Sequence, residues 1–258
     1  MSWRAGLFLV AMGVALGLTL AYPWSEFSLA GRVGGTLVER DDAFERRVRE
    51  VIRRSPDEIA ESLQGRQSRG PQSRLSTQDE VRAVIAQRRN EILRDRESPV
   101  GGNPDGGVTI VEFFDYNCPY CRRVAPMLEE IEQADRDLRF VYKEFPILGP
   151  NSVFAARAAL AAARQGRYIA YHKAMMRSPE PITADSALAI AASIGLDVDR
   201  LRMDMDDSAI AAAIDRNLDL AQALRINGTP GFVVGDNVFL GALPMSTLQT
   251  LVDRARRK

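Results

Sequence analysis

Apolar residues change their period several times along the chain, and each change marks an element. Residues 108 to 114, V-T-I-V-E-F-F, form a nearly unbroken β-branched and aromatic run, the pattern of a strand buried on both faces. Just beyond it, Val124, Met127, Leu128 and Ile131 recur at helical spacing, so the strand runs into an amphipathic helix. A second strand, L-R-F-V-Y-K-E-F, is predicted from Leu138. Alanine-rich helical patterns then cover residues 152 to 165, 168 to 176, 183 to 194 and 208 to 224, with T-A-D-S around Asp185 and Gly195 as punctuation of the third. A hairpin over residues 232 to 240 bends near Gly235, Asp236 and Asn237, and a last amphipathic helix starts at Met245.

Upstream, Phe44, Val48, Val51 and Ile52 make one stripe over residues 41 to 54. Ser55-Pro56-Asp57-Glu58 reads as a capping box opening a short helix through Ile59 and Leu63. Residues 65 to 74, G-R-Q-S-R-G-P-Q-S-R, read as a flexible hinge. Thr77-Gln78-Asp79-Glu80 then caps a third helix with Val81, Val84, Ile85, Ile92 and Leu93 inward. These helices are too short and too charged to bury a core alone, so they pack on the domain that follows or on copies of themselves.

Arg4 precedes an apolar run over residues 5 to 22, followed by Pro23 and Glu26, the charge order of an exported segment whose N-terminus stays inside. The run is long for a cleaved signal and short for a spanning helix. Thr19-Leu20-Ala21 and Ser28-Leu29-Ala30 are mediocre cleavage sites, which favours an uncleaved anchor. Either way the rest of the chain lies outside the cytoplasm, where disulfides persist. The 34 basic residues balance 34 acidic ones and are dispersed among them, so nothing points to a nucleic-acid surface.

The only two cysteines, Cys118 and Cys121, sit where the buried strand meets its helix. Cys118 falls near the N-cap, Pro119 at the first helical position, and Cys121 one turn on. Unpaired amide groups and the positive end of the helix dipole then face Cys118 and favour its thiolate, the nucleophile of disulfide exchange. A structural disulfide would close a ring of only four residues and make a weak staple. Zinc needs two more ligands, and the chain has no third cysteine and a single histidine, His172. Copper(I), content with two thiolates at Cys118 and Cys121, remains open. His172 is expected to pack on its helix rather than catalyse.

E-F-F-D-Y-N-C-P-Y-C together with N-G-T-P-G-F at residues 227 to 232 resembles the thioredoxin superfamily, and specifically the DsbA-like thiol oxidoreductases. With K-E-F-P-I-L-G-P, residues 143 to 150, it is most similar to the ScsC branch, named for suppression of copper sensitivity. The resemblance implies an α/β thioredoxin fold over residues 98 to 258 with a helical insertion at about 151 to 224, after an export segment or anchor (1 to 30) and a helical region (31 to 97) that trimerises some relatives. It implies a periplasm-facing enzyme without cofactor, acting on cysteine-bearing proteins and reset by a membrane redox partner. Cys118 would attack and Cys121 resolve. Pro119, Tyr120, Thr229 and Pro230 would meet substrate, Pro230 as the superfamily's cis-proline. Glu112 matches a buried carboxylate beneath the disulfide that accepts the proton of Cys121, with Lys143 as a suggested ion-pair partner; a solvent-facing strand glutamate is the competing reading. Tyr120 in place of histidine, and Thr229 rather than valine before Pro230, point toward an isomerase-like enzyme. A copper(I)-binding protein, a monomeric dithiol oxidase and an inactive interaction module stay as alternatives.

Overall fold

The computed structural model describes Glu50, Arg54 and residues 71 to 257. The export segment, the helices expected over residues 41 to 63 and most of the 65 to 74 hinge lie outside the described residues, apart from an exposed Arg54–Glu50 ion pair one helical turn apart. Contacts divide the chain into two compact units, residues 1 to 68 and 69 to 258, and the second holds the sheet with the helices around it. No helix among the described residues is long and apolar enough to cross a membrane.

The sheet has five strands in the order β1-β3-β2-β4-β5: β1 (Val100–Gly102), β2 (Val108–Phe114), β3 (Leu138–Glu144), β4 (Gly231–Val234) and β5 (Asn237–Leu240). Helices α1 (Pro71–Gln87) and α2 (Arg89–Leu93) precede it. α3 (Pro119–Ala134) links β2 to β3, which are parallel, with Val108 opposite Leu138 and Phe114 opposite Glu144. Between β3 and β4 come α4 (Pro150–Arg164), α5 (Tyr168–Met176), α6 (Ala184–Ser193), α7 (Val198–Met205) and α8 (Ser208–Ala223), and α9 (Met245–Arg256) closes the chain. The β4–β5 turn falls at Gly235, whose φ of 59° suits a residue without Cβ.

β2 is apolar except at Thr109 and Glu112 because both faces of the sheet are covered. On one face Val108, Ile110 and Phe114 join Leu138, Phe140, Tyr142, Phe232 and Val234 under α3, α9 and the insertion helices. On the other, Val111, Phe113, Val141 and Val233 meet Ile85 of α1, Ile92 of α2, Leu220 near the end of α8 and Leu224, its C-cap. Ile92 is fully buried and Ile85 is 2% exposed.

That second layer differs from the sequence reading in two ways. Thr77 does not cap a helix; α1 already starts at Pro71, because proline fits a first helical turn and the five residues after it contain no breaker. The hinge expected over residues 65 to 74 therefore gives way to helix at Pro71. In addition, α1 and α2 belong to the same compact unit as the sheet, so residues 69 to 97 are built into the unit expected to begin at residue 98. Two elements were not anticipated: β1, which pairs antiparallel with β3, and α7, whose N-cap Asp197 accepts from the Arg200 amide at 3.0 Å.

Candidate active site

The loop after β2 is held by side chains on both sides of the cysteines. The Asp115 carboxylate accepts from the amides of Asn117 (2.8 Å), Ile147 (2.9 Å) and Leu148 (3.0 Å), while the Asp115 carbonyl accepts from the Cys118 amide at 3.0 Å. Asn117 clamps Ile182, accepting from its amide at 2.7 Å and donating to its carbonyl at 3.0 Å. So fixed, Cys118 takes the N-cap position in extended backbone, and Pro119 opens α3 at a position with no hydrogen bond to lose.

Both cysteines are free thiols; Cys118 is 4% exposed and Cys121 fully buried. Hydrogen bonding from the Cys121 thiol, from the Thr229 side chain and from the amides of Cys121 and Tyr120 outweighs burial and brings the Cys118 thiol down to about 5. Burial first, then the bond to Cys118 and the nearby Glu112, push the Cys121 thiol far up. One sulfur is thus a thiolate at neutral pH and its neighbour holds its proton. Thr229 and Pro230, far from Cys118 in sequence, are brought against it: the Thr229 carbonyl lies 3.3 Å from the Cys118 sulfur, and the Thr229–Pro230 peptide is cis.

Glu112 sits on β2, register-paired with Tyr142 on one side and Phe232 on the other, and is 2% exposed on the face that packs against α3. The solvent-facing reading fails because helices cover both faces. Burial, and secondly the Cys118 charge, push its carboxyl up to about 8, so it holds a proton at neutral pH. Lys143 is not its partner. Pleating turns Lys143, opposite Phe113, to the α2 side, where its ammonium donates to the Glu91 carbonyl (2.7 Å) and Ser98 hydroxyl (2.7 Å) and pairs with Asp95 at 3.4 Å.

These features coincide with known proteins. Residues 109 to 253 match the model of the DSBA-like thioredoxin domain. The chain belongs to that family. The DsbA-like domain is similar in structure to a thioredoxin-like oxidoreductase of Silicibacter pomeroyi, with 48% identity, a TM-score of 0.65 and coverage of 66% of this chain and 98% of the other. The catalytic domain of Proteus mirabilis ScsC gives 28% identity, a TM-score of 0.63, and 69% and 99% coverage. A periplasmic thioredoxin-like protein of Salmonella enterica serovar Typhimurium gives 32%, 0.60, and 66% and 96%. Among curated proteins, the Na(+)/H(+) antiporter NhaA 3 of Salinispora tropica is 30% identical over 155 residues, 59% of this chain, and the chain spans only 24% of that protein's length.

In the DsbA-like domain the structure brings together Glu112, Cys118, Pro119, Cys121 and Thr229-Pro230, while Tyr120 stands outward, 53% exposed, with the Arg123 guanidinium 5.4 Å above its ring. Exposed apolar residues gather on the segments beside the pair. Ile147 and Leu148 share the Asp115 carboxylate with the cysteine loop, Val153 follows on α4, and Leu240 pairs with Gly231, next to Pro230. His172 is buried and neutral, its ring packed against Phe114, Tyr142 and Tyr168 and its Nδ1 3.1 Å from the Tyr116 hydroxyl. Tyr116 and Tyr168 in turn donate to Glu144, at 3.1 and 2.7 Å, in a polar cluster that the sequence reading did not anticipate. Among the described residues no three His, Cys, Asp or Glu side chains form a group able to hold a metal.

Proposed function

We propose that this DsbA-like protein is a periplasm-facing thiol-disulfide oxidoreductase acting on protein disulfides through Cys118 and Cys121. The observation that carries the reading is the split between the two sulfurs: a thiol lowered to about 5 at the end of α3 beside a buried one raised far above its ordinary value. In the reducing direction, the Cys118 thiolate attacks one substrate sulfur, the substrate disulfide breaks, and its other sulfur leaves as thiolate. A mixed disulfide then joins Cys118 to substrate. Cys121 loses its proton, attacks the Cys118 sulfur and expels the second substrate thiolate, leaving a Cys118–Cys121 disulfide and two reduced substrate sulfurs. Oxidation runs the same steps backwards. Glu112, buried on β2 near both sulfurs, accepts the Cys121 proton in its ionised form, which becomes easier to reach once the mixed disulfide removes the Cys118 charge that helps hold its own proton. Pro119, Tyr120, Thr229 and Pro230 receive substrate backbone, and the exposed Ile147, Leu148, Val153 and Leu240 receive its apolar side chains.

The periplasmic assignment draws on the export pattern of residues 4 to 26 and on the likeness to a periplasmic Salmonella protein. The isomerase-like assignment draws on Tyr120 and Thr229, and on an oligomer, most simply a trimer, that presents several active sites to one misfolded substrate. The oligomer contacts are assigned to residues 39 to 97, apart from Ile85 and Ile92, which are committed to the sheet. Turnover of insulin disulfides and reshuffling of a scrambled disulfide protein test the reading together. Wild type should do both, and Cys118→Ala neither. Reduction without reshuffling would move the protein to the simple dithiol oxidoreductases, and no turnover of either substrate would overturn the proposal.

A further inference from the structure

At the end of the sheet away from the cysteines lies a cavity of about 270 Å³. Its floor is Thr109 and Arg139, register neighbours on β2 and β3, where both strands begin. One wall is α2 with its cap, contributing Arg89, Leu93 and Arg94, and the other is the loop from Pro104 to Gly107. Three arginines therefore line one concavity in a chain whose formal charge is zero. Among the described residues, none of the three forms an ion pair, and Asp105, the single carboxylate in the lining, pairs with none of them.

The neighbouring acids are committed elsewhere. Asp137 accepts from the Gly107 amide at 2.8 Å and faces Arg256, while Glu91 binds Arg88. The loop amides are used internally, Gly106 on the Asn103 carbonyl and Gly107 on Asp137, so the cavity's donors are side chains. Arg139 spends one nitrogen on the Leu93 carbonyl at 2.6 Å, and burial and the charge of Arg94 both weigh against its own. Like charges crowded in a concavity without a counterion raise the local potential and favour an anion there. Guanidinium forks match the oxygens of a phosphate group two at a time.

We propose that this cavity binds a phosphate-bearing anion, free or as the headgroup of an anionic lipid, through Arg89, Arg94 and Arg139. Such a ligand bridges α2 to the sheet without touching the cysteines. The test titrates the full chain with pyrophosphate at constant ionic strength, alongside Arg89→Gln/Arg94→Gln and the distant surface variant Arg202→Gln. Arg89 and Arg94 are exposed and hold no structural partner, so the double variant should fold, which its melting curve without ligand checks. Wild type and Arg202→Gln should bind alike and the double variant about tenfold or more weakly. Flotation with phosphatidylglycerol against phosphatidylcholine vesicles separates the sources. A preference for phosphatidylglycerol that disappears in the double variant assigns the lipid headgroup, and pyrophosphate binding without such a preference assigns a free phosphate compound. Absence of binding to both probes, or a folded double variant that binds as wild type does, would overturn the proposal.

Discussion

At the scale of single residues, the candidate site sets apart proton affinities that would otherwise be alike. Cys118 is lowered, so a reduced folded chain holds a thiolate where an unfolded chain holds a thiol; the gain is present at and above the ordinary thiol range and is lost as pH falls through about 5. Iodoacetamide labelling should accordingly follow a single titration near pH 5 at Cys118, with Cys121 unlabelled up to about pH 9; first labelling at Cys121 would reverse the assigned roles. Glu112 runs the opposite way. Its carboxyl stays protonated up to about 8 in the folded chain, so the folded state binds more protons than the unfolded one and stability falls as pH rises from the ordinary carboxyl range through that value. Glu112→Gln should remove this slope and stabilise the protein at pH 7 by on the order of 1 to 3 kcal/mol in urea melts. It should also slow mixed-disulfide release by about a hundredfold, with formation little changed, because Cys121 then lacks an acceptor. A variant with unchanged slope and unchanged release would make Glu112 a bystander. The cysteines, Pro230 and Thr229 were legible in sequence because motif and local position carry them. Asp115 and Asn117 were not, since their partners lie 32 and 65 positions away and leave no local trace.

Among the elements, those with a strong period were read almost to the residue: β2, α3, β3, the β4–β5 hairpin and α9. β1 escaped because Val100-Gly101-Gly102 is too short to show alternation and gains its order from pairing with β3. α7 escaped because half of V-D-R-L-R-M-D-M is charged and only Leu201 and Met205 are buried, with Val198 packed partly against the core. α2 is the instructive case, since five residues make no stable helix in isolation. It exists because Ile92 fills the sheet face and because Lys143 and Arg139 donate to its Glu91 and Leu93 carbonyls, at 2.7 and 2.6 Å. Ile92→Ala should therefore cost about 2 to 5 kcal/mol, measured by denaturant unfolding, although it lies far from the cysteines. A cost below about 1 kcal/mol would mean that this layer is only loosely docked.

For the whole molecule, the placement of α1 and α2 decides where the chain can be cut. Removing residues 1 to 68 should leave a folded unit that still exchanges dithiols, whereas removal through Leu93 uncovers Val111, Phe113 and Val141 and should yield an aggregating or unfolded product. Dichroism and sedimentation of the two truncations check this, and a well-folded product of the longer deletion would refute it. The Asp115 carboxylate has a consequence of its own. One side chain ties the strand-to-helix loop of Asn117 to the start of the apolar rim at Ile147 and Leu148, two stretches that otherwise belong to different crossings of the sheet. They should behave as a single breathing unit, the three amides trading their protons for deuterium in step, so that a substrate prying at the rim is felt at the sulfur and the sulfur's redox state is written onto the rim.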